Sequence, residues 1–150
     1  MRSQYPGIEL VGIRPTNEDV AIACREAEAL MREHPKLGGI LALCAPAVPG
    51  AAEATKRAGR RDVRVVGMAA PSACRSYLQE GWIESVVLWN TVDLGYLVVT
   101  AAVATVLGDL KAGDTFLRAG RLGNIIVRAD EVRLGRPHIF NKASADRAGF

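Results

Sequence analysis

GILALCAPAVPGAAEATKRAGRRDVRVVGM, residues 39–68, is the stretch that decides the fold. It begins with an apolar run at residues 39–44 and ends with another at residues 63–68, and a helix is predicted between them, from about Gly50 to Ala58. Continuous apolar runs are typical of strands that are covered on both faces. Two such strands joined through a helix by short connections predict a right-handed unit with parallel strands.

The residues before this stretch predict another strand and another helix. Residues 8–13 form an aliphatic run bounded by prolines, which predicts a strand. Thr16 or Asn17 is expected to cap the helix that follows, because either side-chain oxygen can accept from a free backbone N–H of the first turn. The helix is expected to end near His34, since the proline after it disfavours helical geometry there.

The residues after the stretch continue the alternation. A helix is predicted over residues 72–79 and a strand over residues 85–89, and Asn90 or Thr91 begins a long helix rich in alanine and valine. Strand and helix thus alternate four times, which predicts an α/β fold with a doubly wound parallel sheet. After Gly108 the pattern changes to short segments between glycines. Small strands or β-turns are predicted there, at residues 116–117, 125–128 and 132–134.

Composition and charge argue against several classes of protein. Hydrophobic residues make up 49% of the 150 residues and aromatic residues only 5%. This suits aliphatic strands under alanine-rich helices and does not suit a disordered chain. The net charge is +3, and the densest basic stretch, residues 56–61, has no aromatic neighbour. Because nucleic-acid binding needs basic residues beside groove-reading or stacking groups, a solvated surface and no nucleic-acid partner are expected.

The cysteines and histidines indicate neither a disulfide framework nor a metal site. Three cysteines and two histidines lie on separate predicted elements, without a C-x-x-C pair. Buried or half-buried thiols are expected, and no metal or cofactor. Catalysis stays an alternative, because Cys44 follows a strand and Cys74 lies near a helix N-terminus, where a thiolate is stabilised. Neither histidine is placed by the sequence to act as the base, so no enzyme is predicted.

The N-terminus and the apolar stretches predict no membrane insertion. The first residues carry a positive charge but no apolar run behind it, so a signal peptide is not expected. The chain as written is expected to stay in the cytoplasm. The longest apolar stretch, residues 94–107, is interrupted by glycine, threonine and tyrosine and is too short to cross a bilayer.

The turns after the predicted strands are the places for a ligand, because ligands of open parallel sheets bind beyond the carboxyl ends of the strands. None of these turns carries G-x-G-x-x-G, a P-loop lysine or G-x-S-x-G, so a nucleotide phosphate site and a hydrolase nucleophile have no support. In the last turn, Trp89 can stack on a sugar ring and Asn90 can donate and accept toward its hydroxyls. A core aromatic and a plain helix cap are equally open for these two residues. The four turns are residues 14–17, 44–48, 69–72 and 89–91.

Several motifs resemble those of a known family. Residues 17–58 contain Ala45-Pro-Ala-Val-Pro-Gly, residues 65–72 read Val-Val-Gly-Met-Ala-Ala-Pro-Ser, and Leu88-Trp-Asn and Phe140-Asn-Lys are fairly specific signatures. They resemble the type I periplasmic sugar-binding proteins, and among these the branch of the rhamnose-binding and autoinducer-2-binding receptors. The likeness covers nearly all of the chain. It implies a solute receptor of an ABC importer, in which two α/β lobes close on a small sugar-like ligand.

The resemblance also implies which residues contact the ligand. Carried over to this chain, they are Leu43 and Ala45 on the second turn and Trp89 and Asn90 at the hinge strand, with Pro71 as a weaker candidate. It implies no catalytic residue and no cofactor. The family it points to is periplasmic.

Much of such a receptor has no counterpart in this sequence. The first lobe is absent, as are the first strand and most of the first helix of the second lobe. Residues 1–150 are therefore expected to form one partial domain, made of an incomplete C-terminal lobe, the returning hinge segment and the tail. Half a cleft is expected to hold a sugar weakly, because the other face of the sugar stays in water.

The long helix over residues 91–107 is expected to bury its apolar surface against a first lobe supplied in trans or against a second copy in a homodimer. Three functions stay open at this point. The chain is a truncated sugar receptor that works with an ABC permease if it is functional, a stand-alone regulatory or interaction module of the same fold, or a small doubly wound enzyme.

Overall fold

The computed structural model describes residues 4–147, and these form two compact units. The first unit contains the chain as far as Val87 and again from Ile139, and the second unit contains Leu88–His138. The helices and strands, in chain order, are α1 Val20–Glu33, β1 Gly39–Ala42, α2 Ala47–Ala58, β2 Arg64–Met68, α3 Pro71–Glu80, β3 Ser85–Leu88, α4 Thr91–Leu107, β4 Phe116–Arg118, β5 Asn124–Arg128, β6 Glu131–Arg133 and β7 His138–Phe140.

A parallel sheet organises the first unit. Its strand order is β1-β2-β3-β7, and β1 pairs in parallel with β2, as β2 does with β3. The register joins Ala42 to Gly67 and Met68 to Val87, so the parallel strands end at a common edge. The predicted α/β fold with a parallel sheet is confirmed. The strand β7, by contrast, was not predicted.

The core of the first unit lies between this sheet and its helices. The helices α1 and α2 approach closely at Gly50, where a Cβ would lie 2.6 Å from the Val20 carbonyl oxygen and 2.7 Å from Ala23 Cβ. Only glycine permits that approach without a shift of the backbone. The largest fully buried side chains of the unit include Val48, Val65, Leu78, Ile83 and Val86.

Residues 8–13 are not a strand, and this prediction is wrong. The side chains of Ile8, Leu10 and Ile13 are 55%, 53% and 79% exposed. A strand needs a neighbour that takes up its backbone N–H and C=O groups. The segment pairs with no strand of the described sheet, in which β1 is a terminal strand.

The cap of α1 also differs from the prediction. Asp19 is the cap, and its carboxylate accepts from the Ile22 backbone N–H at 2.7 Å. The predicted caps, Thr16 and Asn17, are wrong because the chain between them and the helix turns through a left-handed pair. Asn17 and Glu18 have φ values of 50° and 56°, whereas a cap residue is extended, as Asp19 is. The predicted end of this helix near residue 34 is confirmed.

The helix α2 begins at Ala47, three residues before the predicted start near Gly50. The prolines at positions 46 and 49 are typical of a turn. Here Pro46 is the N-cap and Pro49 lies in the first helical turn. A backbone N–H in that turn has no partner within the helix, so the N–H that proline lacks costs little.

The helix α4 and a three-stranded antiparallel sheet form the second unit. The strand β5 lies between β4 and β6, and its residues alternate between buried Ile125 and Val127 and the outward Ile126, which is 63% exposed. The small strands predicted after residue 108 are confirmed. The core of the unit consists of Leu97, Ala104, Leu117, Ala119, Ile125 and Val127.

Candidate functional site

The carboxyl ends of β1 and β2 meet at one edge of the first unit's sheet, because Ala42 of β1 pairs with Gly67 of β2. Leu43 directly follows β1 and is 72% exposed, and Ala45, two residues later, is also exposed. The structure therefore places these two predicted pocket residues on open surface, at the edge where parallel sheets bind ligands.

Two helices begin at this edge without a side-chain cap. The N-cap residues are Pro46 for α2 and Ala70 for α3, and neither makes a side-chain hydrogen bond to the first turn. The N–H groups of a first turn have no partner within the helix, and they carry the positive end of the helix dipole. The N–H groups of Ala47 and Ala73 donate to the carbonyl oxygens of Cys44 and Ala70, and prolines occupy a first-turn position in each helix. The first-turn donors left for a ligand oxygen are therefore those of Val48 and Ser72.

Pro71, the weaker candidate, is placed differently. It occupies the first position of α3 and is fully buried. Proline is well suited to this position, because the N–H it lacks would have no helical partner. The structure accounts for Pro71 as a helix start, and a contact between Pro71 and a ligand stays a prediction.

Thr16 reaches the turn after β1 from the loop before α1. Its hydroxyl oxygen lies 3.6 Å from the Cys44 sulfur, and the left-handed residues Asn17 and Glu18 then turn the chain into α1. Sequence reasoning assigned Thr16 to a helix cap and missed this contact. The sequence did place residues 14–17 among the turns at the carboxyl edge of the sheet, and that position could have indicated the contact.

Trp89 and Asn90 belong to the second unit, directly after β3, and both are half-buried. Asn90 caps α4, and its Oδ1 accepts from the Asp93 backbone N–H at 3.0 Å. The predicted cap is confirmed. Because the amide oxygen is engaged in the cap, Asn90 presents chiefly its Nδ2 donor, and a ligand group that meets it must accept a hydrogen bond.

A charged cluster within the second unit lies beside this cap. Asp93 Oδ1 and Arg121 Nη1 form an ion pair at 2.5 Å, and the Arg121 guanidinium lies 4.7 Å from the centre of the Tyr96 ring. Asp93 is in the first turn of α4, where the helix dipole favours a carboxylate. These contacts fix the start of α4 to the 3-10 turn Gly120–Leu122.

The buried cysteines do not support a catalytic thiol. Cys74 is fully buried, and burial raises the pKa of its thiol to about 11. A thiolate was expected to be stabilised at this position near a helix N-terminus, but burial opposes its formation. Burial, followed by the charge of Glu28, also raises the pKa of Cys24. Both side chains are therefore small apolar groups at neutral pH.

Neither a metal site nor a membrane span is found among residues 4–147. In that range no three side chains of His, Cys, Asp or Glu converge in a way that would hold a metal ion. No helix of the described range combines the length and the apolar character that a membrane span requires.

A family model described as a periplasmic binding protein domain matches residues 1–110. The chain belongs to the periplasmic binding protein domain family. The family is periplasmic, and the homologues are substrate-binding proteins rather than enzymes. The resemblance seen in the sequence is confirmed at this level.

Solved structures of sugar-binding proteins share the fold. A sugar ABC transporter protein from Actinomyces odontolyticus ATCC 17982 is 26% identical with a TM-score of 0.82, over 98% of this chain and 48% of that chain. LsrB from Clostridium saccharobutylicum, in complex with AI-2, is 24% identical with a TM-score of 0.84, over 99% and 52%. An ABC transporter solute binding protein from Clostridium phytofermentas with bound L-rhamnose is 23% identical with a TM-score of 0.77, over 97% and 50%. The chain thus spans about half the length of these proteins.

Proposed function

We propose that this chain contributes one side of a binding site for a small sugar-like ligand, as part of the substrate-binding component of an ABC importer. The observation that carries the proposal is the open carboxyl edge at Leu43 and Ala45 in a member of this family. The fold is shared with proteins whose structures hold L-rhamnose and AI-2. These two ligands, and the branch of the family that binds them, are therefore the first candidates.

Each unit, taken by itself, carries groups that suit a sugar. In the first unit, the Val48 and Ser72 N–H groups at the starts of α2 and α3 are donors for hydroxyl oxygens, beside the exposed side chain of Leu43. In the second unit, Trp89 offers an apolar ring face and Asn90 an amide donor. Both kinds of group suit sugars, because sugar rings have apolar faces bounded by hydroxyl groups. Catalysis is not part of the proposal.

The chain on its own is expected to bind weakly. It spans about half the length of its structural relatives, and a ligand held from one side leaves its other hydroxyls in water. A dissociation constant of about 1 mM or weaker is expected. Tighter binding, and action with an ABC permease, then require a second body, such as a first lobe or another copy of the chain.

A titration of the 150-residue chain with L-rhamnose, followed residue by residue by NMR, tests this function. Shifts are expected at residues 43–48 and 69–73. Ala45→Trp, which fills the open edge, is expected to weaken binding by about 10-fold. Ala58→Trp is the matched control, since this exposed alanine lies at the opposite end of α2.

Two results would contradict the proposal. The first is the absence of shifts at the sheet edge with millimolar L-rhamnose, or equal effects of Ala45→Trp and Ala58→Trp. The second is micromolar binding by the chain alone, which would contradict the one-sided site.

A stand-alone interaction module of the same fold is the second candidate function. One observation favours it, namely the large apolar surface that α4 leaves exposed, with Val106 and Leu107 at 86% and 69% exposure.

A further inference from the structure

A cap hydrogen bond and an ion pair meet at the start of α4. The Asp93 backbone N–H donates to Asn90 Oδ1 at 3.0 Å, and the Asp93 carboxylate forms an ion pair with Arg121 Nη1 at 2.5 Å. Both contacts belong to one residue, so they hold the same helical turn. The N–H groups of that turn have no partner within the helix and depend on such contacts. Asp93 therefore links Asn90, a candidate sugar contact, to Arg121.

A glycine weakens the same part of the helix. Gly95 lies two residues after Asp93, and a Cβ at this position would meet nothing within 4 Å, so close packing does not require the glycine. Glycine inside a helix is less stable than alanine, because it loses more backbone freedom when the helix forms. The order of the first two turns of α4 therefore depends on the side-chain contacts of Asp93 and its neighbours.

The Arg121 guanidinium bridges two successive turns of α4. It pairs with Asp93 in the first turn, and it lies 4.7 Å from the centre of the Tyr96 ring in the next. Residues three apart lie on one side of a helix, so one guanidinium can contact both. The face of an aromatic ring attracts a cation. Arg121 thus holds the first turn of α4 to the second.

The 3-10 turn that carries Arg121 is anchored in the core of the second unit. Its N-cap, Ala119, is fully buried, and the Ala119 backbone N–H donates to the Gly123 carbonyl oxygen at 2.8 Å. Gly120 has a φ of 50°, and a Cβ there would overlap the Tyr96 hydroxyl oxygen. Glycine is the residue that permits this approach in this backbone conformation. Arg121 is therefore presented by a closely packed turn.

We propose that Arg121 is a positioning residue for ligand binding, which acts through Asp93 to keep the Nδ2 donor of Asn90 directed at the ligand. An asparagine amide can present either its oxygen or its nitrogen, and the hydrogen bond from the Asp93 N–H engages the oxygen. A frayed first turn would release the amide, and a ligand would then have to order it at a cost in affinity. The inference rests on the proposed function, because it concerns the contact between Asn90 and a sugar.

Hydrogen exchange in the full chain without ligand is the first experiment. Arg121→Ala removes the ion pair and the ring contact, and it is expected to speed the exchange of the Asp93 amide by about 5-fold. Arg128→Ala is the matched control, because this exposed arginine lies at the end of β5 in the same unit, and it is expected to leave the rate unchanged. The NMR signals of the Asn90 side-chain amide are expected to move in the first variant and not in the control.

A titration with L-rhamnose measures the effect on binding. Arg121→Ala is expected to weaken the affinity by about 3–5-fold, whereas Arg128→Ala is expected to leave it unchanged. Arg121→Lys keeps a cation for Asp93 and is expected to recover most of the affinity. Circular dichroism establishes that each variant is folded. If Arg121→Ala is not, Arg121→Gln, which keeps most of the side chain and removes the charge, takes its place.

A double-mutant cycle separates positioning from a general effect on the fold. Because Arg121 is proposed to act through Asn90, Arg121→Ala is expected to cause no further loss of affinity in a chain that already carries Asn90→Ala. The same loss of about 3–5-fold in both backgrounds would show that Arg121 acts on binding by another route. That result overturns the proposal.

The positioning and the proposed function fail in different ways. A chain that does not bind L-rhamnose contradicts the proposed function, and the exchange rate of the Asp93 amide then decides the positioning by itself. Equal exchange rates in Arg121→Ala and the original chain overturn the positioning, whether or not the sugar binds. A chain that binds L-rhamnose with an affinity that Arg121→Ala leaves unchanged overturns the positioning as well and leaves the proposed function intact.

Discussion

The helices α2 and α4 differ in a way that their composition does not suggest. In α2, which carries three charged residues among 12, seven residues are buried. In α4, which carries one charged residue among 17, only two are buried. The more apolar helix is therefore the more exposed one. Apolar composition predicts that a helix needs a covering surface, but not that the described part of the chain supplies it.

The same contrast separates the two units. In the first unit, α1 covers α2 so closely that Gly50 leaves no room for a Cβ. In the second unit, the three-stranded sheet covers α4 along Leu97 and Ala104, and Val99, Val103 and Val106 stay exposed. Substitutions in the closely packed first unit are therefore expected to change the free energy of unfolding more than substitutions on the exposed side of α4.

Two glycines give the largest expected difference. A Cβ at Gly67 would lie 2.2 Å from the Ala42 carbonyl oxygen and 2.7 Å from Val48 Cγ2. Gly67→Ala is therefore expected to lower the free energy of unfolding by more than about 3 kcal/mol, because a backbone carbonyl in a sheet cannot move aside. A Cβ at Gly95 of α4 would meet nothing within 4 Å. Gly95→Ala is expected to raise the free energy of unfolding by about 0.5–1 kcal/mol, since alanine forms helices better.

Urea unfolding of both variants measures this difference. A Gly67→Ala variant as stable as the original chain would show that the sheet of the first unit is less closely packed than the structure has it.

The Cys74 thiol gives a smaller, pH-dependent difference. Burial raises its pKa from 9.0 to about 11, so the unfolded chain loses this proton at a lower pH than the folded chain. The stability that the group contributes is complete below about pH 9 and is lost as the pH rises toward 11. The free energy of unfolding is expected to fall by about 2 kcal/mol between pH 8 and pH 11 on this account.

Unfolding of the Cys74→Ala variant across the same pH range is the control. It is expected to be less stable at neutral pH but to lose less stability at alkaline pH. Some loss persists, because burial also raises the pKa of Cys24 and of Tyr77. All three groups lie in the first unit. Equal slopes of the free energy of unfolding against pH for the variant and the original chain would contradict the burial of Cys74.

The sequence predicts the first unit's strands well and the start of the chain badly. The apolar runs that became β1, β2 and β3 pair with one another in one sheet, and their composition is sufficient to identify them. The covering of both faces that such runs predict is wrong for β1, in which Leu41 is 52% exposed. The aliphatic run at residues 8–13 has the same composition, but it has no neighbouring strand, and pairing is a property of the whole sheet. The start of α2 was predicted three residues too late, because prolines such as Pro46 and Pro49 suit both a turn and the first turn of a helix.

The candidate site is predictable as a set of turns but not as a set of contacts. Leu43 and Ala45 are exposed at the ligand edge, as the order of strand and turn implies. Burial of Pro71 and the contact of Thr16 with Cys44 depend on packing between elements that are distant in sequence. Asn90 was given two possible roles, and the structure shows one of them, the cap.

The caps of α1 and α4 give the smallest expected difference. Asp19 and Asn90 each accept one hydrogen bond from the first turn, at 2.7 Å and 3.0 Å. Asp19→Ala and Asn90→Ala are each expected to lower the free energy of unfolding by about 1 kcal/mol. Because α4 is covered on one side only, Asn90→Ala is also expected to increase amide hydrogen exchange in the first turn of α4 more than Asp19→Ala does in α1.

Asn90→Asp separates the cap of α4 from a ligand contact. The carboxylate keeps an acceptor for the Asp93 N–H and sits at the positive end of the dipole, so the free energy of unfolding is expected to stay within about 0.5 kcal/mol of the original. The substitution removes the Nδ2 donor, and the affinity for L-rhamnose is expected to fall by about 5–10-fold. Urea unfolding and the NMR titration measure the two effects on one sample. Unchanged affinity would make Asn90 a cap alone and would leave Trp89 as the second unit's remaining candidate for contact with the sugar.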